Sequence, residues 1–397
     1  MDQKQQWEFK ARFRSGAYSW QGSALAVKRL NEAVSEIRKV ARFHAVAAAD
    51  GAVGLFERFW PAFQHIDSSS GALGAGVNRT QQDLLPLIAK ARADRETRDK
   101  WLDRLWKAAE EDGVEFLSPT EDYWGELCAS PETASEWADR LVGLVREAWA
   151  DRGYLRGTSA CLSCLLAAGR HEDLLDLLSA ARFPFWHYRK FGVRALLKER
   201  RFDDALAYAE ASRGLNEPDR AIDAACEEVL IAAGRPDEAY SKYGLGANQA
   251  GTGRATFRAL RKKYPGVNPE HILHDLAELS GDCGHWFAAA KDAGFLDLAL
   301  KFATEGHPDP LTLSRASRDL VEQDAEFAML IGWLAVRRML EGHGYEVTVA
   351  QIDEARGHCL VAAAKIGVED RMRQDFLTLV STGKSNVRDL LLRHWSI

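Results

Sequence analysis

A unit of about ten residues recurs between about Leu165 and Gly306, and the helix-turn-helix geometry it encodes constrains the chain more than any other feature. The copies read Leu165-Leu-Ala-Ala-Gly-Arg-His-Glu-Asp-Leu174, Leu196-Leu-Lys-Glu-Arg-Arg-Phe-Asp-Asp-Ala205, Leu230-Ile-Ala-Ala-Gly-Arg-Pro-Asp-Glu-Ala239 and Ala289-Ala-Lys-Asp-Ala-Gly-Phe-Leu-Asp-Leu-Ala299. Counted from His171, the equivalent positions Phe202, Pro236 and Leu296 follow at separations of 31, 34 and 60 residues, the last being two periods around a degenerate copy. Gly169, Gly234 and Gly294 stand where a helix must end, and Gly there takes the left-handed conformation without a Cβ penalty. Glu172-Asp173, Asp203-Asp204 and Asp237-Glu238 then fall in the first turn of the next helix, where negative charge favours the exposed amides. Ala205, Ala239 and Ala299 let two helices approach closely. A hairpin of this size cannot bury its apolar face alone, so such units come in arrays. The expected fold is all-α: an α-solenoid of antiparallel helical hairpins, with atypical N-terminal helices and a C-terminal cap.

A period near 34 residues with Gly in the turn and Ala after it resembles the tetratricopeptide class, although the Trp, Tyr and Pro signature positions of that class are mostly absent. The reading divides the chain into an N-terminal helical section over 1–115, hairpin repeats over 116–306, and C-terminal repeats with a cap over 307–397, in one continuous body. The irregular stretch Gly113 to Pro119 marks the first boundary. Hydrophobic residues at 46% and charged residues at 28% of 397 supply an ample core and exclude disorder. No run of about 20 apolar residues occurs, and Met1 to Gln6 lack the apolar segment of a secretory signal, so no membrane contact and a cytoplasmic location are expected. The six cysteines are scattered through apparent helices, which argues for reduced thiols. A net charge of −6 hides a polarity. Residues 1–42 hold nine Lys/Arg against four Asp/Glu, and residues 94–151 seven against sixteen. That asymmetry suits a solvated face or end-to-end self-association.

Trp7 to Arg14 alternate apolar and polar residues with a period of two, as an extended arm would, or else pack their aromatics on the next hairpin. An amphipathic helix follows from Ser23 to Phe43, and a second is expected after Asp50-Gly51, through Leu55, Phe56, Phe59 and Trp60. The chain then turns through Ile66-Asp-Ser-Ser-Ser-Gly-Ala-Leu-Gly74. Hydroxyls and amides before a helix can cradle a phosphate, but Asp67 would repel one and no G-x-x-x-x-G-K-[ST] occurs, which favours capping. That turn, with Gly16-Ala17-Tyr18 before it, resembles the helical region attached to SWIM-type zinc fingers in bacterial proteins and a related family of stand-alone helical proteins. The finger itself requires C-x-C followed by C-x-H, and this chain has Cys283-Gly-His285 without any C-x-C. The finger and the DNA or protein binding it implies therefore do not carry over.

Arg182 to Arg201 is the most suggestive stretch, with Arg182, Arg189, Lys190, Arg194, Lys198, Arg200 and Arg201 opposed only by Glu199. Phe183, Phe185, Trp186, Tyr188 and Phe191 interleave with them. Such a face can stack bases and contact phosphates, or hold an acidic peptide; alternatively the aromatics fill the hairpin core. Arg182, Trp186, Tyr188, Arg189, Lys190 and Arg194 are the candidate partner-binding residues, extended by Arg258, Arg261 and Lys262 further on. Cys161-Leu-Ser-Cys164 has C-x-x-C spacing but sits in an apolar helix, which reads as two small buried residues. His271, His274, Cys283 and His285 are the one set with metal-ligand spacing, but a degenerate repeat with polar helix positions explains them without metal, and no metal is expected. Asp309 to Ile397 continues as helices, with Ala362 to Arg371 as one more repeat turn and Leu390 to Ile397 as a capping helix.

With no triad, Gly-rich phosphate loop, H-E-x-x-H or carboxylate dyad in context, the sequence points to a non-catalytic protein-binding scaffold without cofactor. Its partner is another protein, an acidic segment included. A nucleic-acid-binding repeat protein and a metal-dependent enzyme at His271 to His285 are the alternatives.

Overall fold

The computed structural model describes residues 6–151, 153, 155–183, 185–214, 219–382 and 388–395. Every regular element among them is helical and none is a strand, so the protein is all-α. Two compact units, Met1–Ala233 and Gly234–Ile397, divide the chain inside its third repeat turn. Among the described residues no helix is long and apolar enough to cross a membrane. Residues 1–5 of the N-terminal stretch and the last two of the C-terminal segment lie outside the described residues.

The first unit begins with aromatics turned inward. Trp7, Phe9, Phe13 and Tyr18 are buried in a run of ring contacts that ends on Phe63, which Phe13 and Tyr18 meet at 5.8 and 5.5 Å. The alternation from Trp7 does not make an extended arm: Phe9–Arg12 is one helical turn, and the amides of Glu8 and Phe9 donate to the Glu36 carboxylate at 2.8 and 3.2 Å. That carboxylate, on the Ser23–Ala41 helix, satisfies amides that a turn this short leaves free. Asp50-Gly51 does not start a helix either, since both lie inside Ala45–Phe56. A Cβ on Gly51 would stand 2.3 Å from the Trp7 indole, so the Gly serves close packing rather than a turn. Asp50 accepts from Trp101 Nε1 at 3.2 Å and Arg104 at 2.6 Å. At the turn after His65, Asp67 accepts the Ser69 amide at 2.9 Å, which holds its carboxyl below the ordinary range, and its own amide donates to Trp20 O. Asp67 therefore acts within the turn. The stretch 113–119 lies inside this unit, tied down where Gln81 Nε2 donates to Phe116 O at 2.7 Å.

The repeat turns share one backbone solution. Gly169, Gly234 and Gly294 have φ of 73°, 75° and 86°, and Gly367 repeats it at 74°. Arg200 holds the same place at 60°, although the left-handed conformation costs a residue with a Cβ about 1 to 2 kcal/mol. After Gly169, Arg200, Gly294 and Gly367 the next amide reaches back across the helix end. Arg170 donates to Leu165 O at 2.9 Å, Arg201 to Leu196 O at 2.9 Å, Phe295 to Ala290 O at 3.0 Å and Val368 to Ala363 O at 2.9 Å. The arginine following the turn then ties down the next helix: Arg170 to Asp173 at 2.7 Å, Arg201 to Asp204 at 2.8 Å and Arg235 to Glu238 at 2.7 Å. In the first unit these turns join Thr158–Ala167 to His171–Ser179, and Trp186–Lys198 to Phe202–Glu210, with Asp219–Ala232 next. Thr158–Ala167, Trp186–Lys198 and Asp219–Ala232 also touch in succession.

Buried arginines close helix ends in both units, a use suited to the negative end of the macrodipole. Arg98 donates to Ile88 O at 2.8 Å and Ala91 O at 2.5 Å behind Ala72–Lys90, and to Leu127 O at 3.2 Å. Arg338, in the second unit, donates to Ala303 O at 2.8 Å and to Gly306 O behind Leu296–Glu305. There Pro310–Leu320, Ala325–Leu340 and Val349–Lys365 pack mutually. A Cβ on Gly332 would lie 2.7 Å from Ser317 Oγ and 2.8 Å from Cys359 Cβ, so that glycine sets how closely they approach. The Gly367 turn leads into Glu369–Thr382, and Arg388–Trp395 seats Trp395 against Phe376, its indole donating to Asp353 at 2.9 Å.

Candidate functional site

Helical periodicity sorts the residues of Trp186–Lys198. Trp186, Tyr188, Phe191, Val193, Ala195 and Leu196 are buried. His187, Lys190, Arg194 and Lys198, spaced three, four and four apart, share the other face. The lower part of that face borders a cleft of about 440 Å³. Its floor is apolar, from Leu166, Ala167 and Leu197; its cations are Arg194 and Lys198, and Glu126 and Glu228 supply the carboxylates. The charges do not cancel one another in place. Lys198 Nζ donates to Leu166 O at 3.4 Å, Glu126 takes only a long 3.5 Å contact from Ser163 Oγ, and among the described residues Arg194 and Glu228 have no ion-pair partner. Tyr123, 37% exposed, completes the rim.

Above the cleft the same helix face is tied into the fold. Lys190 Nζ lies 2.5 Å from Asp122 Oδ2, and His187 Nε2 shares a 2.8 Å hydrogen bond with Ser159 Oγ. Ser159, His187 and Asp122 match a catalytic triad in composition but not in geometry. Asp122 approaches His187 at 3.9 Å on Nε2, the nitrogen already facing the serine, so it cannot orient the ring from Nδ1. Ser159 is 3% exposed, which leaves its hydroxyl no path to a substrate. Burial, with the Lys190 ammonium beside it, holds His187 below its ordinary pKa.

Glu121, adjacent, accepts the Gly157 amide at 3.0 Å, and burial pushes its carboxyl up to about 7. The unfolded chain, with an ordinary value of 4.5, ionises it earlier. Its contribution to stability is therefore complete below that value and is lost as pH rises through about 7. Glu121→Gln keeps the acceptor and removes the charge. The urea midpoint of the native protein should fall relative to that variant between pH 5 and 8, and the two should converge near pH 5. A gap independent of pH would contradict this.

The structure does not gather the expected basic-aromatic face. Trp186 and Tyr188 are core, at 7% and 9% exposure, and Tyr188 meets Trp149 of the Pro131–Asp151 helix at 5.7 Å. Arg189 lies 3.8 Å over the Tyr208 ring and donates to Ser212 Oγ and Tyr208 O at 2.6 and 3.0 Å, closing the end of Phe202–Glu210. Lys190 is held by Asp122. Arg182 stacks on exposed Phe183, apart from the cleft, and only Arg194 of this group lines it. Arg258, Arg261 and Lys262 are exposed on Gly253–Lys263 in the second unit. His271, His274, Cys283 and His285 do not converge on a metal position. His271 faces Asp275 at 3.5 Å, His274 and His285 lie edge-on to Phe302 and Trp286, and Cys283 Sγ is 3.8 Å from Phe302 O. Among the described residues no group of three His, Cys, Asp or Glu side chains is arranged to hold a metal ion. Cys161 and Cys164 are both fully buried, and Cys164 lies 4.0 Å from Cys128 rather than facing Cys161.

Glu126, Glu228 and Tyr123 were invisible to motif reading, since the 123–126 segment and the Asp219–Ala232 helix that bring them to the cleft are far apart in sequence. No family model, curated protein or solved structure matches the chain.

Proposed function

We propose that the hairpins of the first unit stack as turns of a tetratricopeptide-like solenoid, and that the protein is a non-catalytic scaffold holding a segment of another protein in the cleft beside Arg194. One observation carries the reading. Apart from Tyr123 and Glu126, every residue lining the cleft belongs to Thr158–Ala167, Trp186–Lys198 or Asp219–Ala232, the equivalent helices of three successive copies. Stacked repeats create a continuous groove on the side where equivalent helices meet. The cleft's volume of about 440 Å³ accommodates a few side chains, and its apolar floor between separated cations and carboxylates suits a short peptide with an apolar anchor and flanking charges.

Selection from a displayed library of random peptides tests this. Selected sequences should share an apolar anchor with charged neighbours. Arg194→Glu with Lys198→Glu should weaken them at least tenfold at unchanged helicity, because exposed charges contribute little to folding yet orient a partner. Failure to select any shared motif, or binding indifferent to the double substitution, would overturn the reading.

A further inference from the structure

The second unit carries a separate concentration of positive charge on Gly253–Lys263. Arg254, Arg258 and Arg261, four and three residues apart, line one side of a narrow cleft whose other side is Ala289, Asp292 and Ala293. Asp292 is its only carboxylate, and it is already engaged by Arg254 at 2.9 Å and Lys291 at 2.8 Å. Arg258 and Arg261 therefore face solvent one helical turn apart, and neither has an ion-pair partner among the described residues. Lys262, equally unpaired, adjoins them. Two guanidiniums so placed present forks for carboxylates about 5 to 6 Å apart, the spacing of acidic side chains one turn apart on a helix.

We infer that this face binds an acidic peptide segment, independently of the cleft in the first unit. Single-stranded nucleic acid fits it less well. The aromatics near the cations, Phe257, Tyr264, Trp286 and Phe287, are 4%, 4%, 2% and 0% exposed, which leaves bases no ring to stack on. The far wall carries only the small side chains of Ala289 and Ala293 beside Asp292.

Fluorescence anisotropy on the full chain decides the matter, using a labelled deca-glutamate peptide and a labelled oligodeoxythymidine of equal charge. The peptide should bind, and more tightly than the oligonucleotide. Arg258→Gln with Arg261→Gln should weaken it at least tenfold, and the Glu pair at the same positions should abolish it. Arg194→Glu with Lys198→Glu should leave it unchanged, so failure at this face is distinguishable from failure of the first cleft. Tighter oligonucleotide binding, absent peptide binding, or affinity unaffected by the Gln pair would each overturn the inference. Circular dichroism of both pairs should match the native protein, since among the described residues neither arginine makes a hydrogen bond or ion pair.

Discussion

Trp186→Ala should destabilise the first unit by about 3 to 5 kcal/mol, the cost of removing a large buried aromatic and leaving its cavity. Trp186 opens the helix that carries Arg194 and Lys198, and it is 7% exposed. Its neighbours on the buried face, Tyr188 and Phe191, are 9% and 0% exposed, so the hole has little freedom to collapse without disturbing them. The loss is read from the urea transition of the native and variant chains followed by far-ultraviolet circular dichroism. A change below about 1 kcal/mol would instead place the ring where a ligand covers it, since surface substitutions fall in that range. Arg194→Ala should fall in that small range, which separates the two faces of one helix by experiment.

Arg98→Ala should cost about 3 kcal/mol or more. The side chain is 4% exposed and donates to the carbonyls of Ile88, Ala91 and Leu127; the first two also accept the Ala91 and Ala93 amides, so among the described residues they lose a second donor while Leu127 O loses the one side chain that reaches it. A buried acceptor left unsatisfied costs about 1 to 3 kcal/mol. Arg98→Met retains the apolar stem over the Trp101 ring, 5.2 Å from the guanidinium, and removes only the donors. It should lose nearly as much as Arg98→Ala. A Met variant as stable as the native chain would show that packing, rather than helix capping, explains the residue.

The helix ends were legible in the sequence because a left-handed backbone leaves a chemical mark: Gly169, Gly234 and Gly294 all take positive φ. Arg200 shows the limit of that mark, holding the same conformation with no glycine to announce it. Gly51 and Gly125 show the converse. Each sits in or beside a helix to admit a neighbour, Trp7 in one case and the Ser163 carbonyl in the other, and nothing local distinguishes such a glycine from a helix breaker. The alternation after Trp7 left an extended arm open beside inward-packed aromatics because Trp7, Phe9 and Phe13, packed round a single helical turn, give the same pattern. In the 182–201 stretch, composition named the cations and aromatics without separating them. The 3.6-residue period separates them, turning Trp186, Tyr188 and Phe191 inward and Arg194 and Lys198 outward. Arg189 breaks even that rule, since its partners Tyr208 and Ser212 come from the following helix and its end. The acidic side of the cleft, Glu126 and Glu228, comes from Trp124–Leu127 and Asp219–Ala232, about a hundred residues apart in the chain, and no local pattern encodes it.

Hydrogen exchange on the full chain, with and without a peptide selected on the native protein, measures most directly whether successive hairpins form one binding groove. Protection gained together in Thr158–Ala167, Trp186–Lys198 and Asp219–Ala232, and lost with Arg194→Glu and Lys198→Glu, is the expected outcome. Protection confined to another surface, or none in these three helices at saturating peptide, would contradict it.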